Sequence, residues 1–499
     1  MQALTIKKHL EVAKPSLDNN LSDMDRVNMS IRNSLGTQQI SWPLDLLKIL
    51  SNTFRSSAGS VTVTARKKDD HLHILAIEPE DTASSHFGLA VDIGTTVVAV
   101  ELIDLNTDKS LAAMGDFNRQ IQYGEDLLTR LHFSAQGGLG KLHAAVLDTI
   151  NSLVGKVCAA SGILPHQISA FCAAGNTSMT HFLLGLDPST IRREPYAPVL
   201  THVPELFAKD IGIDILPNAV CFIFPSVGSF LGGDLIAGAL AAGIDKQDEI
   251  SLLLDIGTNG EMILGNRDWL LAGAGAAGPA LEGGVAECAK RAEPGAIERV
   301  KIDPSTLEPS YSVIGDAQPS GLCGSGLIDA IAELYLSGLL DLTGRFVLEN
   351  KTPRWRKVNG RDAYALVDSN KKGEGPTVYI TEKDIQNVLR TKAAMVAALT
   401  ILLDSVGLDI NSISRVYTAG SFGIHLSVNS SITIGLYPKL PTERFVSLGN
   451  GSLRGAKEVL LDSSRIADTS RIAGKVTYLE LNIHPSFMGI FRSAKYISS

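Results

Sequence analysis

The chain has 499 residues, 44 % of them hydrophobic, which supplies large cores and excludes a wholly disordered chain. Its 45 Lys and Arg stand against 53 Asp and Glu, so a global basic field for nucleic acid is excluded. No apolar run reaches the ~18 residues needed to span a membrane, and the start MQALTIKKHLEVAKP has no secretory h-region. A cytoplasmic protein of roughly three or four domains is expected, with no nucleic-acid and no membrane partner.

Residues 1–35 are polar, with PSLDNNLSDMDR, and predict a linker that ends in a short helix. Residues 36–85 predict a small α/β middle domain. Its helix runs from Pro43 to Phe54, and the alternating strands SVTVTAR and HLHILAIEP follow. From Phe87 onward, Gly-rich loops alternate with apolar strands and helices, and a duplication organises them. Residues 87–103 read FGLAVDIGTTVVAVELI and residues 250–264 read ISLLLDIGTNGEMIL. Each is a strand, an Asp-Ile-Gly-Thr turn and a second strand. A second element also recurs: ISAFCAAGNTSMTHFLLG at 168–185 and SRVYTAGSFGIHL at 414–426 are both strands entering a helix through Ala-Gly. Two similar α/β lobes are expected, residues 86–245 and 246–499, facing each other across a cleft.

The repeated turn suits nucleotide phosphates. Gly94 and Gly257 let the backbone approach closely, and successive N–H groups of such a turn form an anion-binding concavity. Thr95, Thr96 and Thr258 add hydroxyls, and Asn259 adds an amide. Asp92 and Asp255 end equivalent strands, where they can hold Mg²⁺ through its waters. A single copy would read equally as a Gly hairpin with a self-capping Asp, but duplication favours the phosphate reading. Gly420, Ser421 and Gly423 open a helix, a place for the ribose and adenine, although a tight strand–helix turn has the same composition. Gly324 and Gly326 begin an apolar helix and suit either a hinge or plain close packing. Asp234, 21 residues before Asp255, could orient a water or activate a hydroxyl for attack on a γ-phosphate, or simply cap its helix. Glu261 is a weaker candidate for metal or water.

Two false leads are set aside. Gly273 to Gly278 spells GxGxxG, but Pro279 follows at once, against a dinucleotide-binding helix. No GxxxxGK[ST] occurs. The five cysteines, Cys158, Cys172, Cys221, Cys288 and Cys323, are scattered without a CxxC, which argues against a disulfide framework or a sequence-local metal cluster.

The paired turns and the TAGSFG loop resemble the superfamily of actin, sugar and acetate kinases and heat-shock chaperone ATPases. Within it, FGLAVDIGTT, NRQIQYGEDLLTRL, AAGNTSMTHFLLGLDP, LLLDIGTNGEMILGN, AAGPALEGG, RAEPGAIERV, CGSGLIDAIAELYLSG and VYTAGSFG are similar to the reductive activators of corrinoid proteins. The resemblance covers nearly the whole chain. It implies two actin-like (ribonuclease H-like) ATPase lobes with an interlobe nucleotide cleft, binding ATP and Mg²⁺. It also implies a corrinoid protein of a methyltransferase system, such as one for O-demethylation, as partner; its inactive Co(II) is reduced to Co(I). Family members usually carry an N-terminal ferredoxin-like domain whose four cysteines hold a [2Fe–2S] cluster, and no such spacing occurs here. The expectation is therefore that this domain was removed or that a separate electron donor serves. A homodimer stays open. The alternatives are a small-molecule kinase of the same fold, with Asp234 as base, and a nucleotide-dependent binding or chaperone module.

Overall fold

The computed structural model describes residues 2–497 except 258–259, 276–285, 348–351, 369–376, 421–424 and 482–483. The chain forms two units: Met1–Ala241 with Ser452–Gly474, and Ala242–Gly451 with Lys475–Ser499.

The first unit opens with β1 (Ile6–Glu11), β2 (Gln39–Ser41), β3 (Ser60–Lys68) and β4 (His71–Pro79), in sheet order β1-β3-β4-β2. The helix Asp23–Leu35 starts where the Ser22 hydroxyl accepts the Asp25 N–H and stops at Gly36, whose left-handed φ of 64° suits glycine. Its Val27 and Ile31 share one core with Leu46, Leu50 and Phe54 of the helix Leu44–Ser56 and with Val61, Val63, Leu72 and Ile74 of the sheet. Residues 1–35 were expected to be a linker ending in a short helix. They are instead half of this small α/β body, because β1 pairs antiparallel with β3 and Leu10 and Val12 enter its core.

The same unit continues with β5 (Phe87–Ile93), β6 (Val97–Asp104), β7 (Ser110–Phe117), β8 (Ile168–Gly175), β9 (Leu206–Phe207) and β10 (Val220–Ile223), in order β7-β6-β5-β8-β10-β9. The amphipathic helix Leu139–Ser161 buries Leu142, Val146, Ile150, Leu153 and Val157 against Leu89, Val91, Val98 and Val100.

The second unit repeats this plan. Its main strands are β11 (Ser251–Asp255), β12 (Glu261–Gly265), β13 (Leu270–Ala274), β20 (Arg415–Ala419), β21 (Phe445–Gly449) and β22 (Val476–Tyr478). The strands between them, β14 (Ala296–Ile302), β15 (Pro309–Val313), β16 (Gly321–Leu322), β17 (Trp355–Val358), β18 (Arg361–Val367) and β19 (Val378–Thr381), build two three-stranded sheets. The main sheet runs β21-β20-β11-β12-β13-β22. In both units an antiparallel meander, β7-β6-β5 or β13-β12-β11, is followed by two parallel strands, β8-β10 or β20-β21. This shared order is the actin-like plan expected from the duplicated motifs.

The second lobe was expected to run unbroken from 246 to 499, whereas Ser452–Gly474 returns to the first unit. There the helix Gly451–Leu461 packs so closely on the helix Gly233–Ala242 that a Cβ at Gly455 would lie 2.3 Å from the Ala237 carbonyl oxygen. Lys457 Nζ also pairs with Glu101 at 2.8 Å. Among the described residues no helix is long and apolar enough to cross a membrane.

Candidate functional site

The first Asp-Ile-Gly-Thr turn links β5 to β6. Their register pairs Asp92 with Ala99 and Ile93 with Val98, leaving Gly94, Thr95 and Thr96 to reverse the chain. A Cβ at Gly94 would lie 2.4 Å from the Val97 carbonyl oxygen, so the tightness of the turn demands glycine. Asn118 braces it from outside: its Nδ2 donates to Gly94 O at 3.0 Å, and its backbone N–H donates to Thr96 O at 2.9 Å.

β8 runs parallel beside β5, with Asp92 opposite Ala174 and Ile93 opposite Gly175. The next residue, Asn176, caps the helix Thr177–Leu184 by accepting the Met179 N–H at 2.9 Å. Its Nδ2 donates to Thr95 Oγ1 at 3.2 Å. Asp234 stands in the first turn of the helix Gly233–Ala242, its Oδ1 accepting the Leu235 N–H at 2.8 Å. A Cβ at Gly232 would lie 2.2 Å from Asn176 Cα and 2.6 Å from Asp234 Oδ1, so this loop lies flush against Asn176. Thr95, Asn176 and Asp234 are thus brought together. Burial raises the Asp234 carboxyl to about 6, against the opposing pull of backbone N–H groups at Leu235 and at Asp234 itself. Part of the residue's surface nonetheless stays open.

The second turn differs in its closure. β11 and β12 pair only as far as Asp255 opposite Glu261, so the two carboxylates occupy directly facing positions on adjacent strands. Like charges so placed repel, and a divalent cation held by oxygen ligands would offset them. In the first turn the facing position is the small, neutral Ala99. Acidity is concentrated on the second turn.

β20 lies parallel to β11 with Ala419 opposite Asp255, and Ile256 N donates to Ala419 O at 3.0 Å. Gly420 follows with φ +94°; a Cβ there would lie 2.7 Å from both Asp255 Oδ1 and Ile256 O. Any side chain at 420 would collide with the carboxylate. Around Gly257, by contrast, the nearest atom of the described residues to such a Cβ is Asp255 Oδ1 at 3.9 Å, so among the described residues this glycine is not crowded. Thr258, Asn259, Ser421 and Gly423 lie outside the described residues.

Gly324 and Gly326 start the helix Gly324–Leu336 and are buried. A Cβ at Gly326 would lie 2.2 Å from Ile297 O, and Cys323 Sγ donates to the same carbonyl at 3.3 Å. Close packing on β14 accounts for the missing side chain at 326. Sequence reasoning missed Asn118 and Asn176. The helix-cap pattern at Asn176 was readable, but its reach to Thr95, 81 residues away, was not.

Residues 249–499 match the family described as the C-terminal domain of RACo, the ASKHA domain. Residues 87–247 match the RACo middle region, and residues 1–84 match the RACo linker region. The corrinoid activation enzyme RamQ of Eubacterium limosum is 31 % identical over 411 residues, 81 % of this chain and 69 % of its own. The [Co(II) methylated amine-specific corrinoid protein] reductase of Methanosarcina barkeri is 27 % identical over 429 residues, covering 78 % of this chain and 73 % of its own. A solved reductive activator for corrinoid, iron-sulfur protein superposes with a TM-score of 0.92 at 38 % identity, covering 100 % of this chain and 79 % of that one.

Proposed function

Because the chain belongs to the RACo family of reductive activators of corrinoid proteins, we propose that it couples ATP hydrolysis to the reduction of a corrinoid protein's cobalt from Co(II) to Co(I). The likeness of the whole given chain to most of a reductive activator carries this reading. The corrinoid protein is taken to serve a methyltransferase system, and the electron to come from an iron–sulfur domain outside these residues, either missing from them or on a separate donor. When a Co(II) corrinoid protein is added, ATP turnover should rise severalfold, and a sugar or short-chain acid should leave it unchanged. The opposite response, measured by phosphate release, would favour a small-molecule kinase.

Asp92 and Asp255 are proposed to hold Mg²⁺, with Gly94, Thr95 and Thr96 on one turn and Gly257, Thr258 and Asn259 on the other holding the ATP phosphates. Gly420, Ser421 and Gly423 would take the adenosine side. The facing Asp255 and Glu261, and Gly257 uncrowded by the described residues, fit a Mg²⁺-phosphate group. Mg²⁺ bound there would offset the charge on the transferring phosphate. The chain's own turns orient that phosphate through backbone N–H groups and hydroxyls.

Asp234 is proposed to accept a proton from the attacking water. A carboxyl raised to about 6 is a better base than an ordinary aspartate and is still ionised at neutral pH. Turnover should therefore rise with pH through about 6. Asp234→Asn should lower turnover by roughly 10²–10⁴-fold while MgATP affinity survives. The native state binds this proton more tightly than the unfolded chain, whose aspartates titrate near ~3.9, so its stability falls as pH rises between those values. Asp234→Asn should consequently melt no lower than the wild type at pH 8. An equal loss of melting temperature and activity would return Asp234 to a helix-capping role.

A further inference from the structure

We propose that Asn176 is a positioning residue that aims the Thr95 hydroxyl at phosphate and seats the loop carrying Asp234. The inference rests on the reading of the first turn as a phosphate site. Asn176 is 6 % exposed and its side chain has both ends committed. Its Oδ1 faces the Met179 N–H at 2.9 Å, and a backbone N–H can only donate, so the oxygen must lie on that side. The amide nitrogen is thereby turned to Thr95 Oγ1, 3.2 Å away.

A hydroxyl has one proton and two lone pairs. With the Asn176 N–H occupying a lone pair, the Thr95 proton is left to point elsewhere, as a donor to an anionic oxygen. The helix cap thus sets the polarity of a hydroxyl on another loop. Gly232, lying flush on Asn176, carries the same constraint to Asp234. The next residue extends the clamp: Thr177 Oγ1 donates to Gly228 O at 3.0 Å, pinning the approach to Gly232. One two-residue segment therefore touches both the phosphate turn and the loop of the proposed base.

The deciding substitution is Asn176→Asp. Asp and Asn are about equal as helix caps, so the cap and the fold should persist. The donor to Thr95 is lost and an oxygen replaces it. MgATP affinity should fall about 10- to 100-fold, as for loss of a hydrogen bond to a charged group, while the melting temperature stays within about 2 °C. A residue that merely caps its helix would leave affinity unchanged in this variant.

The added negative charge could also act on phosphate directly, and Thr95→Ala separates the two effects. If Asn176 acts through Thr95, Asn176→Asp should cost several-fold less in the Thr95→Ala background than in the wild type. Equal cost in both backgrounds would overturn the inference. Unchanged MgATP affinity in Thr95→Ala itself would overturn the phosphate reading of the turn. Weakened binding in Thr95→Ala with no effect of Asn176→Asp would remove only the role of Asn176.

Discussion

Asp255→Ala is expected to lower ATP turnover by about 10²–10³-fold with the melting temperature little changed. Asp255 closes β11 at the position facing Glu261, so the native chain holds two carboxylates in register across adjacent strands. Facing like charges repel by roughly 0.2–1 kcal/mol, and both carboxylates also take part in other interactions of the native chain. Removing Asp255 relieves that repulsion along with its other polar interactions, and takes no apolar surface out of the core. Activity should nonetheless fall, because charge on the metal–phosphate group is stabilised chiefly in the transition state. Asp92→Ala should show the same loss of turnover, although Ala99 and not a carboxylate faces it. The comparison needs phosphate release at saturating MgATP and a thermal melt without nucleotide. Turnover within twofold of wild type in both variants would refute the metal and phosphate assignment. A fall of several degrees in melting temperature for Asp255→Ala would mean that its carboxylate is part of the fold's own support.

The duplicated hairpins were legible because turn chemistry is local. Asp-Ile-Gly-Thr between two apolar runs fixes a strand end, a reversal and a second strand within about ten residues. The repeated order of hairpin and strand–Ala-Gly–helix element pointed to two similar lobes, and the structure adds that β5 lies beside β8 and β11 beside β20. Register was not legible. Glu261 faces Asp255 because the second hairpin is shifted by one residue in register, Asp255 pairing with Glu261 where Asp92 pairs with Ala99, a difference that shared turn letters conceal.

Long-range packing was equally hidden. The helix Gly451–Leu461 follows β21 in sequence, yet Gly455 is shaped by contact with Ala237, more than 200 residues earlier. The polar stretch before residue 36 suggested a linker by composition. A short edge strand such as β1, with Lys7, Lys8 and Glu11 among its residues, carries too little apolar signal to be seen. The link from Asn176 to Thr95 combines both difficulties: a local cap whose second half has a distant partner.

The remaining large effect concerns the electron. Reduction of Co(II) to Co(I) consumes one electron per corrinoid, and ATP hydrolysis supplies none. Of the five cysteines in these 499 residues, Cys158, Cys172, Cys221 and Cys323 are buried and Cys288 is half-buried. Burial pushes the thiols of Cys158, Cys172, Cys221 and Cys288 up, which disfavours the thiolate that ligates iron. No two of the five are close enough in sequence to form a CxxC. What ATP can change is how tightly the activator holds one redox state of its partner. Each tenfold preference for one state moves a one-electron couple by about 59 mV, so a ~10³-fold preference moves it by roughly 180 mV. Such a shift eases a transfer; it does not replace the donor. These residues with MgATP and a Co(II) corrinoid protein should therefore give no Co(I) spectrum, while a low-potential donor in trans, or a ferredoxin domain fused to the chain, should give Co(I) that depends on ATP. Asp255→Ala should abolish that ATP dependence and leave any slow, ATP-independent reduction by the donor in place. Formation of Co(I) from ATP and this chain alone would reveal a redox centre in residues that have no cysteine pattern for one. Donor-driven reduction that proceeds equally without ATP would separate the hydrolysis from the electron transfer and overturn their coupling.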